Sequence, residues 1–217
     1  MFRITRNFAI VLSVLLGGCV IAPGPADRTP DGLERVPSTR VDSLYVAPGT
    51  SLARYRQVLL DAVDVAFRPD WQARHQEVSQ DEIAMIRHGA TSVFREQVAN
   101  ELAKGGYSMA TEPGPEVLRV SASVVDLDIA SSSGADPAER QFMVTTADMS
   151  LVSELRDSQS GAILARVADK TRGRSQGNLK LSGQSAQTAE ARAAFSMWAS
   201  YLREALDDAR KPAGKEK

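Results

Sequence analysis

Residues 79–106, SQDEIAMIRHGATSVFREQVANELAKGG, decide the fold of this chain, because both ends of one long helix are written into them. Ser79-Gln80-Asp81-Glu82 is a capping box, in which the serine hydroxyl and the glutamate carboxylate satisfy free amides at a helix start. Ile83, Ile86, Ala90, Val93, Val98 and Leu102 follow at three-, four- and five-residue steps, which puts them on one helical face. Gly105-Gly106 supplies the left-handed backbone that closes such a helix. On either side the apolar period changes from helical to alternating, and that change sets the fold class.

Before the helix, Arg54–Phe67 (RYRQVLLDAVDVAF) is rich in Val and Leu. Val63, Val65 and Phe67 alternate with polar or small residues, which predicts a long strand ended by Pro69. Leu59 and Leu60 are adjacent, so a helical turn stays open at that point. After Pro113 and Pro115, Glu116–Ile129 carries Leu118, Val120, Ala122 and Val124 on one face of a second strand. Gln141–Leu155 carries Phe142, Val144, Ala147, Met149, Leu151 and Leu155, with a shift of phase near Thr146 that predicts a bulge. Asp157-Ser158-Gln159-Ser160-Gly161 is a turn, and Ala162–Thr171 returns with Ile163, Ala165 and Val167, so the pair reads as an antiparallel hairpin.

Residues 131–139 and 173–187 are polar and read as loops. A closing helix starts at about Thr188, with Ala191, Phe195, Trp198, Leu202 and Leu206 as its apolar stripe, and residues 211–217 form a tail. The order β-α-β-β-β-α predicts one α/β domain over residues 41–210. Its expected architecture is a two-layer sandwich, a mainly antiparallel sheet with two helices on one face.

The amino terminus carries a different message. Arg3 and Arg6 precede Phe8–Leu16 (FAIVLSVLL), an uncharged run far short of the about 20 residues that cross a bilayer but suited to a signal-peptide core. Leu16-Gly17-Gly18-Cys19 looks like the lipobox of a bacterial lipoprotein, and Cys19 is the only cysteine in the chain. That likeness implies a signal peptide over residues 1–18, with Leu16, Gly17 and Gly18 read by the peptidase. It also implies diacylglycerol on Cys19 and an acyl group, such as palmitate, on the new amino terminus. Each buried methylene contributes about 0.8 kcal/mol, so several chains make a stable anchor. Val20 stands where inner-membrane retention would place aspartate, which implies the outer membrane, with the domain facing the periplasm.

Residues 19–40 then read as the lipidated cysteine and a tether. Pro23, Pro25, Pro30 and Pro37 remove amide donors and block helix before them. About twenty such residues reach at most about 65 Å extended, or about 25 Å as a coil.

Composition excludes several classes. Without residues 1–18 the chain keeps 24 basic against 27 acidic side chains, a net charge of −3. No dense basic surface is available to displace counterions from nucleic acid. A lipidated lone cysteine leaves no disulfide and no thiolate metal ligand, so the core alone must hold the fold.

Candidate sites are few. His75 and His88 have no nucleophile context and no helical partner four residues away, so neither a triad nor a zinc site is expected. Among carboxylate pairs, Asp61 and Asp64 would face opposite sides of a strand, Asp126 and Asp128 would share one face, and Asp207 and Asp208 fit exposed helix. Asp126 and Asp128 could hold calcium or act as acid and base, but a charged strand edge is the favoured reading. Arg172, Arg174 and Lys180 surround a glycine-bearing loop that could meet an anion or an acidic partner, although the phosphate-loop pattern is broken. Phe195 and Trp198 read as core, with Tyr201 exposed. No cofactor or metal is expected, and no enzymatic activity.

The openings VDSLYVAPGTSLARYRQVLLDAVDVAF (residues 41–67) and GPEVLRVSASVVDLD (residues 114–128), Tyr107 after the double glycine and the Phe195/Trp198 helix add up to a likeness. Together with the lipobox they resemble a proteobacterial lipoprotein family known as domain of unknown function thirty-three thirteen, over about residues 40–210. The resemblance implies no catalytic residues. It leads to the expectation of a non-catalytic accessory subunit that meets a protein partner in the cell envelope. The alternative is a binder of a small ligand or cell-wall glycan in a groove between helix and sheet.

Overall fold

A computed structural model describes residues 27–131, 142–145, 149–171 and 184–211. In chain order its strands are β1 (Glu34–Arg35), β2 (Ser43–Val46), β3 (Gln57–Leu60), β4 (Asp64–Phe67), β5 (Ser108–Met109), β6 (Val117–Ser131), β7 (Phe142–Thr145), β8 (Ser150–Asp157) and β9 (Ile163–Lys170). The helices are α1 (Trp71–Arg74), α2 (Gln80–Lys104) and α3 (Gln184–Arg210). The strands form one mixed sheet in the order β1-β2-β9-β8-β6-β3-β5, and the helices make the second layer.

The spine is β6. On one side it is followed by β3 and then β4, both parallel to it; on the other by β8 and then β7, both antiparallel. The single strand expected over Arg54–Phe67 is therefore two, interrupted at Asp61–Val63. At the break the Asp61 carboxylate turns aside to accept from two residues of β6, Arg119 Nε at 2.9 Å and Ser121 Oγ at 2.6 Å. The strand expected over Gln141–Leu155 is likewise two, β7 and β8.

The bulge expected near Thr146 lies outside the described residues; among the described residues one occurs on β6. Val65 pairs with Val124 while Phe67 pairs with Leu127, so β6 carries one extra residue there, and Asp126 takes a left-handed backbone with φ 59°. Leu118, Val120, Ala122 and Val124 point inward on even numbers, and the bulge brings Leu127 inward next. Unbroken alternation would have driven Asp126 and Asp128 into the core.

The capping box forms as read: Ser79 Oγ accepts from Glu82 N–H at 3.3 Å and Glu82 Oε2 accepts from Ser79 N–H at 2.7 Å. At the other end Gly106 is left-handed (φ 74°) and Tyr107 N–H bonds Leu102 O at 3.0 Å. Phe94, absent from the expected stripe, is buried edge-on against Phe195, centroids 5.3 Å apart, where α2 packs on α3. The hairpin turn is pinned by Asp157, whose carboxylate accepts from Ser160 N–H at 2.8 Å and Ser160 Oγ at 2.7 Å.

Three boundaries differ from expectation. Residues 27–40, read as tether, belong to the fold in part: β1 pairs with β2, and Leu33 is buried. Proline blocks helix but leaves an edge strand free to form. The closing helix begins at Gln184, four residues earlier than Thr188. A short helix, α1, follows Asp70, and Trp71 within it is buried and stacked on Phe67 at 4.4 Å.

Candidate functional site

Between the sheet and α3 lies a cavity of about 410 Å³. Its sheet wall is built from alternate residues of neighbouring strands: Leu44 and Val46 on β2, Ala165 and Val167 on β9, Leu151, Ser153 and Leu155 on β8, Val120 and Ala122 on β6. Its helical wall is Trp198, Ala199, Tyr201, Leu202, Ala205 and Ala209 on α3, and Phe94 and Val98 of α2 complete it.

Small side chains line both layers, Ala122, Ser153 and Ala165 on the sheet and Ala199, Ala205 and Ala209 on α3. Ligand pockets run from about 300 to 1,000 Å³ and are mostly apolar, and this cavity fits that range.

The polar side chains divide by position. Ser38, Arg40 and Ser51 are exposed and mark the rim, with Thr50 and Tyr201 beside them. Arg40 Nε lies 3.2 Å from Glu204 and its Nη1 3.0 Å from Asp208, which ties the segment before β2 to the end of α3. Lys211 Nζ reaches the other Asp208 oxygen at 2.7 Å. The Asp208 carboxyl is held below its ordinary pKa by Lys211 first and Arg40 second, and the Arg40 guanidinium is held charged by Asp208. Farther in, Ser153 Oγ donates to Ser121 O at 3.0 Å and Trp198 Nε1 donates to Asp169 Oδ2 at 2.8 Å.

The remaining candidates are accounted for individually. His88 is exposed on α2, whereas His75 caps α1, its ring stacked on Trp71 at 4.6 Å and Nδ1 2.9 Å from Trp71 O. Asp61 is engaged with Arg119 and Ser121 and Asp64 is exposed, so the two do not act together. The bulge breaks the face shared by Asp126 and Asp128, and Asp128 lies 3.6 Å from Arg68 and 3.7 Å from Arg74. Asp207 is half-buried rather than exposed: it accepts from Tyr107 OH and from Arg203 Nη1, each at 2.9 Å. Burial and then Asp207 push the Tyr107 phenol up to about 12. Phe195 and Trp198 are core, as expected, while Tyr201 is half-buried at the cavity.

Cys19, with Leu16, Gly17 and Gly18, lies outside the described residues, as do Arg172, Arg174 and Lys180. Among the described residues no group of three or more His, Cys, Asp or Glu could hold a metal ion, and no helix is long and apolar enough to cross a membrane.

The cavity lies where the alternative reading expected a groove, between helix and sheet, but the residues that line it were not legible. Alanines at inward positions were its only trace in the sequence, and which alanines face each other depends on strand order.

The family model described as "Protein of unknown function (DUF3313)" matches residues 28–202. The chain belongs to the DUF3313 family. Solved structures similar to this DUF3313 chain include the PelC dodecamer from Paraburkholderia phytofirmans, 18% identical over 71% of this chain and 96% of that one, TM-score 0.33. Protein XCC0632 from Xanthomonas campestris, of family DUF330, is 11% identical over 76% of this chain and 94% of that one, TM-score 0.35. A minor lipoprotein from Acinetobacter baumannii is 9% identical over 73% and 97%, TM-score 0.31. No curated protein matches the chain.

Proposed function

We propose that this DUF3313 protein is a lipid-anchored envelope protein that binds a small apolar ligand between α3 and the sheet, without catalysing a reaction. The cavity of about 410 Å³ carries the reading. The anchor is the lipid on Cys19, the membrane is the outer membrane, and the domain faces the periplasm; the lipobox and Val20 support these assignments.

Titration of the mature protein with an apolar naphthylamine fluorophore tests the reading, with energy transfer from Trp198 in the cavity wall as signal. Saturable one-site binding is expected, weakened about tenfold or more by Ala205→Phe, which is about 1.4 kcal/mol. Equal binding by the two proteins contradicts the proposal.

A further inference from the structure

We infer that the cavity takes one acyl chain of a membrane lipid, its polar head resting at the rim beside Arg40; this rests on the cavity being a ligand site. Three observations select that chemistry. Inside the rim, the hydroxyl of Ser153 and the indole N–H of Trp198 are both already bonded within the protein. A sugar, nucleotide or peptide placed there would leave its own polar groups without partners, at about 1–3 kcal/mol each, whereas hydrocarbon loses nothing. The inner part of the ligand is therefore a chain of carbon.

The rim selects the head. Arg40 and Lys211 are matched there by Glu204 and Asp208, so charge is balanced before any ligand arrives. A zwitterionic or uncharged head finds both donors and acceptors at such a rim, while a bare anion meets two carboxylates.

The position of the mouth names the source. Asp27 O accepts from Arg35 N–H at 2.8 Å, β1 pairs with β2, and β2 lines the cavity, so the start of the described chain and the mouth share one edge of the fold. Cys19 is eight residues upstream of Asp27, a reach of at most about 28 Å. A lipid anchor on Cys19 keeps this edge near the bilayer, where acyl chains are abundant.

The test uses the full chain in living cells, with a photoreactive phenylalanine analogue at Leu44 in the wall, and independently at Leu164, which also lines the cavity where β9 shifts register against β8. The control position is Val152, which is 45% exposed between the inward-facing Leu151 and Ser153 and so on the opposite face. Irradiation is expected to give a protein heavier by one acyl lipid from Leu44 and Leu164 but not from Val152, and Ala205→Phe is expected to abolish the adduct. An apolar adduct without an acyl chain overturns this inference and leaves the ligand-site reading standing. A cross-link of no added mass, made to the lipid on Cys19 of the same chain, also overturns it. No adduct from either wall position, in chains that keep native protease resistance, overturns both.

Discussion

Trp198 Nε1 donates to Asp169 Oδ2 at 2.8 Å, with both side chains buried, and the other oxygen of Asp169 accepts from Asp42 N–H at 3.2 Å. One carboxylate thus joins α3, β9 and the segment leading into β2, and so ties the helical wall of the cavity to its sheet wall. Asp169→Ala removes the acceptor and leaves the indole N–H buried without a partner. The variant is expected to lose about 2–3 kcal/mol in denaturant unfolding, the cost of a charged hydrogen bond and an orphaned donor. Asp169→Asn, which keeps an acceptor, is expected to lose less.

The start of α2 makes a smaller, separate prediction. Ser79→Ala deletes the acceptor for Glu82 N–H and opens the capping box. A loss of about 1 kcal/mol follows, seen in a thermal melt as a Tm lower by about 2–4 °C.

The two glycines after α2 are expected to differ in how they fail. Gly106 sits at φ 74° in open space, so Gly106→Ala meets backbone strain alone, about 1 kcal/mol. At Gly105 an added Cβ would lie 2.6 Å from Cε2 and 2.8 Å from Cδ2 of Tyr107. The ring must move, which breaks the Tyr107 bond to Asp207. Gly105→Ala is therefore the more destabilising change in calorimetry, and an equal or smaller loss would refute this account of the turn.

Stability should depend on pH at both extremes. The Tyr107 phenol titrates near 10 when unfolded and at about 12 when folded, so its O–H form contributes fully below about pH 10 and is lost as pH rises towards 12. Tyr107→Phe flattens that alkaline limb. Asp157 is shifted the other way, held well below the ordinary carboxylate range first by the Ser160 N–H, then by the Ser160 hydroxyl and Tyr55, with Arg54 beside it. Its contribution is present above the unfolded value near 4 and disappears as pH falls below it, so Asp157→Asn flattens the acid limb of a stability-versus-pH curve.

What could be read in advance followed the range of the interactions. The ends of α2 are set by groups within five residues of each other, Ser79 with Glu82 and Tyr107 with Leu102, and both were legible. So was the turn at Asp157–Gly161. The divisions of β3 from β4 and β7 from β8 were not. At Asp61 the break depends on Arg119 and Ser121, 58 and 60 residues away, whose proximity exists only after β3 and β6 pair. The lining of the cavity was hidden for the same reason. Ala165 and Ala205 are ordinary small residues until strand order and helix placement set them across one space.

Native mass spectrometry of the mature protein, released gently from envelopes, tests the ligand-site account most directly. The account predicts a population heavier than the acylated chain by one apolar molecule, absent when the same preparation is made from Ala205→Phe. Wild-type and Ala205→Phe proteins that both appear only at the mass of the bare acylated chain would contradict it.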